Sequence, residues 1–140
     1  MSPWSRRGDH VLIVLPRGED VLEGIARAAR EAEIASGLFV GIGAIEAPKL
    51  AWFDRYERTY RERTFDGVWE IVNMTGNLTQ YDGELRIHCH LTAGGRDCHV
   101  RGGHLAGGRV GVTCEVTLVP YSDPVARRMD HEFELPLLDL

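Results

Sequence analysis

The sequence predicts an α+β domain in which one main helix packs on a twisted, mostly antiparallel β-sheet. Three observations carry this. Helical periodicity is confined to the stretch from Asp20 to Gly37. Apolar and polar residues alternate through 84–92 and 109–119, the period of half-buried strands. Glycine-bearing pairs at 66–67, 82–83, 94–95 and 107–108 punctuate the remainder as turn signals. At 140 residues the chain is expected to form a single domain over 1–140, long enough to bury a core without disulfide or metal staples.

Taken in order, Val11-Leu12-Ile13-Val14-Leu15 is a continuous apolar run, expected as a central strand covered on both faces. Pro16-Arg17-Gly18 ends it. Asp20 is the expected helix N-cap, with Glu23 three residues on completing a capping box. Leu22, Ile25, Ala29 and Ala32 fall on one stripe, and Arg27, Arg30 and Glu31 face away. The i,i+4 pairs Glu23–Arg27 and Arg27–Glu31 support the helix, and Gly37 is its expected stop after about four turns. Leu38 to Ile45 and Leu50 to Phe53 are expected as separate strands. Thr59 to Phe65 and Trp69 to Thr75 are expected as a hairpin across Asp66-Gly67. Asp82-Gly83, Gly94-Gly95 and Gly107-Gly108 are expected to link the pairs that follow. In 109–119, Val110, Val112, Cys114, Val116 and Leu118 share one face, and a closing strand is expected near 129–133. No repeat, low-complexity tract or linker is evident.

Lys+Arg total 16 against 21 Asp+Glu, a net charge of -5, which argues against non-specific polyanion binding because phosphate attraction needs clustered positive charge. The most basic stretch, Arg55 to Arg63, is interleaved with glutamates and reads as a solvated, self-paired strand or loop. The three cysteines, Cys89, Cys98 and Cys114, show no Cys-x-x-Cys spacing. Cys89 and Cys114 fall on apolar strand phases as small buried hydrophobes. Their odd number fits a reducing cytoplasm. The apolar run Val11 to Leu15 is too short for a signal sequence or membrane span, so a soluble cytoplasmic protein is expected.

The residues that point to chemistry are histidines. In Glu84-Leu85-Arg86-Ile87-His88-Cys89-His90-Leu91-Thr92 a strand sends both imidazoles out of one face, opposite the aliphatic side. A third, His104, follows Gly102-Gly103, and Gly94-Gly95 between them invites an antiparallel return that sets it beside the first two. Neutral imidazole is a common ligand for divalent metals, and three without a fourth protein ligand make an open site. Cys98 shares the strand phase of His104 but lies roughly 20 Å along it, and Cys89 faces away, so neither is a natural fourth ligand. The competing reading is three polar-face histidines bonded to neighbours or to a subunit interface. A metal-dependent reaction would also want a base, and Glu70 and Glu115 are the strand carboxylates that are candidates for that catalytic role, although salt-bridged surface positions suit both.

Other motifs fall away. Gly41-Ile42-Gly43-Ala44 lacks the third glycine and the following helix of a dinucleotide loop, so no nucleotide-type cofactor is expected. A cupin would continue His-x-His with a glutamate three or four residues on, where this chain has Ala93 and Gly94. His10, His99 and His131 are isolated and read as surface or capping residues.

The chain resembles the plants-and-prokaryotes conserved (PPC) domain, from about His10 to Pro120. The resemblance is carried by Pro16-Arg17-Gly18-Glu19-Asp20, Gly41-Ile42-Gly43-Ala44, Trp69-Glu70-Ile71 leading to Thr75-Gly76-Asn77, His88-Cys89-His90, and Gly102-Gly103-His104-Leu105 followed by Glu115-Val116. It implies a compact α+β domain that assembles as a homotrimer, with zinc or a similar divalent metal at His88, His90 and His104. Stand-alone prokaryotic members are often described as DNA-binding proteins, and plant members add AT-hook segments. Arg6-Arg7-Gly8-Asp9 lacks the hook's second basic residue and proline, so nucleic acid is a disfavoured partner. Three functions remain open: a metal-binding assembly or regulatory module, a metal-dependent enzyme acting on a small molecule, and a DNA-binding regulator.

Overall fold

Alternating β-branched residues and turn glycines make strand the dominant element of this chain, and the computed structural model, which describes residues 4–140, is 67% strand and 8% helix. Residues 1–3 lie outside the described residues. The elements are β1 (Trp4–Arg7), β2 (His10–Pro16), α1 (Val21–Glu31), β3 (Gly37–Asp54), β4 (Thr59–Thr64), β5 (Val68–Tyr81), β6 (Glu84–Gly94), β7 (Val100–Pro120), β8 (Ala126–Asp130) and β9 (Leu135–Asp139). All pairings are antiparallel except the contact of β5 with β8. β3 pairs with β5, β5 with β6, β6 with β7, and β7 again with β3, which closes a ring of four strands. The expected α+β class therefore holds with far more sheet than one helix on a sheet suggests.

The helix starts as expected: the Asp20 side chain accepts from the Glu23 N–H at 2.9 Å. It ends earlier than expected, after 11 residues. Glu33 adopts a left-handed φ of 57°, its N–H bonds to the Arg30 carbonyl, and the Ile34 N–H reaches the Ala29 carbonyl. This is a Schellman ending built on glutamate, a residue that gives no warning of it. Gly37 instead opens β3. Val21, Ile25, Ala28 and Ala29 are buried, joining a core with Ile13, Leu15, Phe39, Met74, Leu78 and Leu118, whereas Leu22 is only half-buried. Arg27 pairs with Glu19 and, at 3.8 Å, with Glu31, leaving Glu23 to Arg30 at 2.5 Å.

Several strand expectations are corrected. The run 11–15 is buried on one face only: Val11, Ile13 and Leu15 are inside, but Leu12 and Val14 are exposed. The two strands expected within 38–53 are one, β3, bent where Ala47 takes φ 50° and the ladder with β7 shifts register. Asp66-Gly67 does not turn a hairpin, because β4 folds back on β3 through residues 55–58. Gly107-Gly108 lies inside β7, which is 21 residues long. Irregular pairing there turns Val112 outward, against its expected inward face. The Asp82-Gly83 turn appears as expected, with both residues at positive φ. The closing strand expected near 129–133 lies about three residues earlier, as β8, and pairs with a further strand, β9. The basic stretch is exposed, but Arg61 pairs with Asp54 and Arg58 with Glu134, so its partners come mainly from outside it. Among the described residues no helix is long and apolar enough to cross a membrane.

Candidate metal centre

Period-two alternation in β6 sends Cys89, Leu91 and Ala93 into the core and leaves Arg86, His88, His90 and Thr92 on the outer face. The expected return at Gly94-Gly95 forms, with Gly95 N–H bonded to the His99 carbonyl and Cys98 N–H to the Gly95 carbonyl. Register then places His90 directly opposite His104, and Gly94 opposite Val100. β7 also lies against β3 here, and the close approach requires glycine: a Cβ on Gly103 would sit 2.8 Å from the Ala51 carbonyl oxygen. On the other side β5 aligns Thr75 with His90 and Asn77 with His88.

The three imidazoles converge. His88 Nε2 and His90 Nε2 are 3.2 Å apart, ring centroids are separated by 5.0 to 5.8 Å, and the ligand nitrogens all lie within 4.8 Å of one another. A tetrahedral ion bound at about 2.0–2.1 Å from each nitrogen separates its ligands by roughly 3.3 Å, so the first pair already has the required spacing. The third ring offers its nitrogen within 4.8 Å of the other two. Among the described residues the buried His104 Nδ1 has no hydrogen-bond partner, an incomplete state that buried polar atoms rarely keep. The residues present therefore fit a divalent ion.

Electrostatics favour the neutral, ligating form of His88 and His104. Burial, reinforced by the charges of His90, His104 and Arg127, holds His88 down at about 4. Burial and then His90 lower His104, with Glu62 opposing. Cys89 and Cys114 are unsuited as ligands: both are buried, and burial pushes each thiol up to about 12. Cys98 is exposed in the turn, and all three cysteines are free.

Sequence reasoning missed the residues that frame the cluster, because they arrive from β4 and β8. Tyr60 stacks on His104, with centroids 4.4 Å apart and planes inclined by 26°. Burial raises its hydroxyl, against the nearby Arg127 charge. Glu62 and His104 both stand opposite Ala51, on either side of β3. Arg127 donates to Thr79 Oγ1 and Asn77 Oδ1, both at 2.7 Å, and to the Pro136 carbonyl at 2.9 Å. Burial lowers this guanidinium, then Arg86 does. The two carboxylates proposed as bases stand elsewhere. Glu70 is exposed on β5 opposite Gly94, five residues from Thr75, and Glu115 is exposed on β7 between Val14 and Ile42. Neither belongs to the histidine cluster. His10, His99 and His131 are exposed and outside it, with His99 Nδ1 held 2.7 Å from Asp97.

Known proteins share this fold. A protein of Ralstonia eutropha JMP134 with a supposed DNA-binding role is 31% identical, with 99% of this chain and 96% of that one aligned at a TM-score of 0.91. A metal-containing protein of Archaeoglobus fulgidus is 27% identical over 100% of both chains, with a TM-score of 0.88. A plant- and prokaryote-conserved (PPC) protein of Pyrococcus horikoshii is 26% identical over 100% of this chain and 95% of that one, with a TM-score of 0.87. No curated protein matches the chain. Residues 5–122 match the Plants and Prokaryotes Conserved (PCC) domain, and the chain belongs to that family.

Proposed function

We propose that this chain is a single-domain, homotrimeric, metal-binding module with an assembly or regulatory role, in which His88, His90 and His104 hold one divalent ion per protomer. The observation that carries the reading is the convergence of three imidazoles from paired strands within 4.8 Å. Zinc suits an all-imidazole set, and when bound by three nitrogens it keeps a fourth position for water or a ligand oxygen. The metal-containing relative from Archaeoglobus supports the same reading.

Assembly is supported by the outer face. Register aligns Leu12, Thr117, Val40, Thr75, His90 and His104 in one row across five strands. Leu12, Val14, Val40 and Ile42 are exposed on the β2 and β3 part of this face. These aliphatics flank Thr117 and exposed Glu115 of the intervening strand β7; exposed aliphatics gathered on one sheet face suit a protein contact, and a closed trimer would cover them with one repeated patch. The family resemblance supplies the count of three. Free cysteines on an otherwise ordinary acidic chain support a cytoplasmic setting.

Metal analysis of untagged protein should find about one ion per protomer, and no stoichiometric ion would remove the site. Light scattering should give three times 15.7 kDa; a monomer would remove the assembly role. A second reading, metal-dependent chemistry on a small molecule, is favoured by a cavity bordering His88 and His104. The description of the Ralstonia relative raises DNA as a partner, against which the net charge of -5 weighs. Retention of random duplex at near-physiological salt would reinstate it.

A further inference from the structure

The cavity beside the histidines is lined by positive charge and by no carboxylate. Arg86 shares the outward phase of His88 and His90 on β6, and its guanidinium lies over the Tyr81 ring at 5.2 Å. Arg127 enters from β8, beyond the residues that match the family. Neither arginine has a carboxylate within ion-pair distance among the described residues. The three bonds from Arg127 go to neutral oxygens, which leaves two of its five N–H donors and its whole charge unmatched. A half-buried guanidinium (Arg127) and an exposed one (Arg86) thus face one hollow, and their mutual repulsion, which lowers Arg127 further, is relieved when an anion joins them.

The rest of the wall is apolar, formed chiefly by Leu135 and Leu137 of β9. The hollow holds about 220 Å³, roughly seven times the 30 Å³ share of a water molecule, which is room for a ligand of about six to eight heavy atoms. Inorganic phosphate would satisfy the guanidinium groups and leave the leucines against water. A carboxylate with a short hydrocarbon chain would use both.

We propose that this cavity binds a small aliphatic carboxylic acid, its chain against Leu135 and Leu137, its carboxylate between Arg86 and Arg127 and beside the histidine-bound metal. The assignment rests on the metal reading only for that last contact, since the guanidinium groups and the apolar wall belong to the chain itself.

The test is calorimetric titration of zinc-loaded, full-length protein with butyrate, with inorganic phosphate and neutral butyramide as comparisons and zinc content measured in each sample. Butyrate should bind, butyramide should not, and Arg86→Gln should weaken butyrate at least tenfold with zinc content unchanged. Arg127→Gln should do the same; because Arg127 also ties Thr79, Asn77 and Pro136 together, exposed Arg86 is the decisive variant should that one fail to fold. Equal binding of phosphate would overturn the carboxylate class, as would undiminished butyrate binding by Arg86→Gln. No butyrate binding at full zinc content would overturn this proposal and leave the metal site standing. If zinc itself fails to bind, the same titration on metal-free protein decides: butyrate binding lost in Arg86→Gln supports the pocket, and no binding overturns it.

Discussion

His104→Ala tests the metal centre most directly. A zinc site made by protein ligands provides on the order of 10 kcal/mol of apparent binding free energy at neutral pH. Shared over three imidazoles, that is about 3 kcal/mol each, or roughly a hundredfold loss of affinity for one missing ring. The consequence for folding follows from linkage. At a free zinc concentration about a hundred times the wild-type Kd, zinc stabilises the native state by about 2.7 kcal/mol, while a variant bound a hundredfold more weakly gains only about 0.4 kcal/mol. For a domain of 140 residues a loss of about 2.3 kcal/mol lowers Tm by about 8 °C. The substitution also removes the stack on Tyr60, worth about 0.5–1.5 kcal/mol, but that loss is the same with or without metal. The quantity to measure is therefore the zinc-induced Tm shift of each protein by calorimetry. A variant with the wild-type shift would refute the role of His104 as a ligand.

Four further outcomes are expected. In metal-free protein, His88 titrates near 4 when folded and near 6.5 when unfolded, so the unfolded chain binds more protons between those values and stability falls as pH drops through that window. Discounted for a half-exposed ring, the loss is on the order of 1–2 kcal/mol; urea midpoints that His88→Asn fails to flatten would contradict it. Phe39→Ala, at a fully buried side chain, should cost about 3–5 kcal/mol in denaturant titrations. Gly76→Ala would drive a Cβ to 2.3 Å from the His88 carbonyl oxygen and 2.4 Å from the Phe39 ring. It should therefore destabilise by at least about 1–3 kcal/mol and weaken zinc binding together; unchanged affinity would argue that His88 is insensitive to its strand. Val40→Asp and Ile42→Asp, both at exposed positions, should leave a folded protein that light scattering finds as monomer, and a persisting trimer would move the interface elsewhere.

The histidine strand was legible because nothing but period-two alternation was needed to put His88 and His90 on one face, and because Gly94-Gly95 predicts an antiparallel return. The helix start was legible for the same local reason: Asp20 bonds to an N–H only three residues away. Misreadings cluster where a local signal had more than one three-dimensional meaning. Asp66-Gly67 looks like a hairpin turn, but β3 competes successfully for β4. Gly107-Gly108 looks like a break, yet within β7 it admits the Ile45 side chain, which a Cβ on Gly108 would meet at 2.6 Å. Val112 follows its alternation until the register of β7 against β3 shifts.

Local chemistry in the chain was enough for the helix cap, the Asp82-Gly83 turn, the inward cysteines and the shared face of His88 and His90, since each depends on contacts a few residues apart. The ring of strands, the outward-facing row from Leu12 to His104, and the arrival of Tyr60, Glu62 and Arg127 around the imidazoles were settled only in three dimensions. Partners separated by tens of residues leave no periodic trace in the sequence, because which strand neighbours which depends on the competition among all edges for hydrogen bonds and buried area.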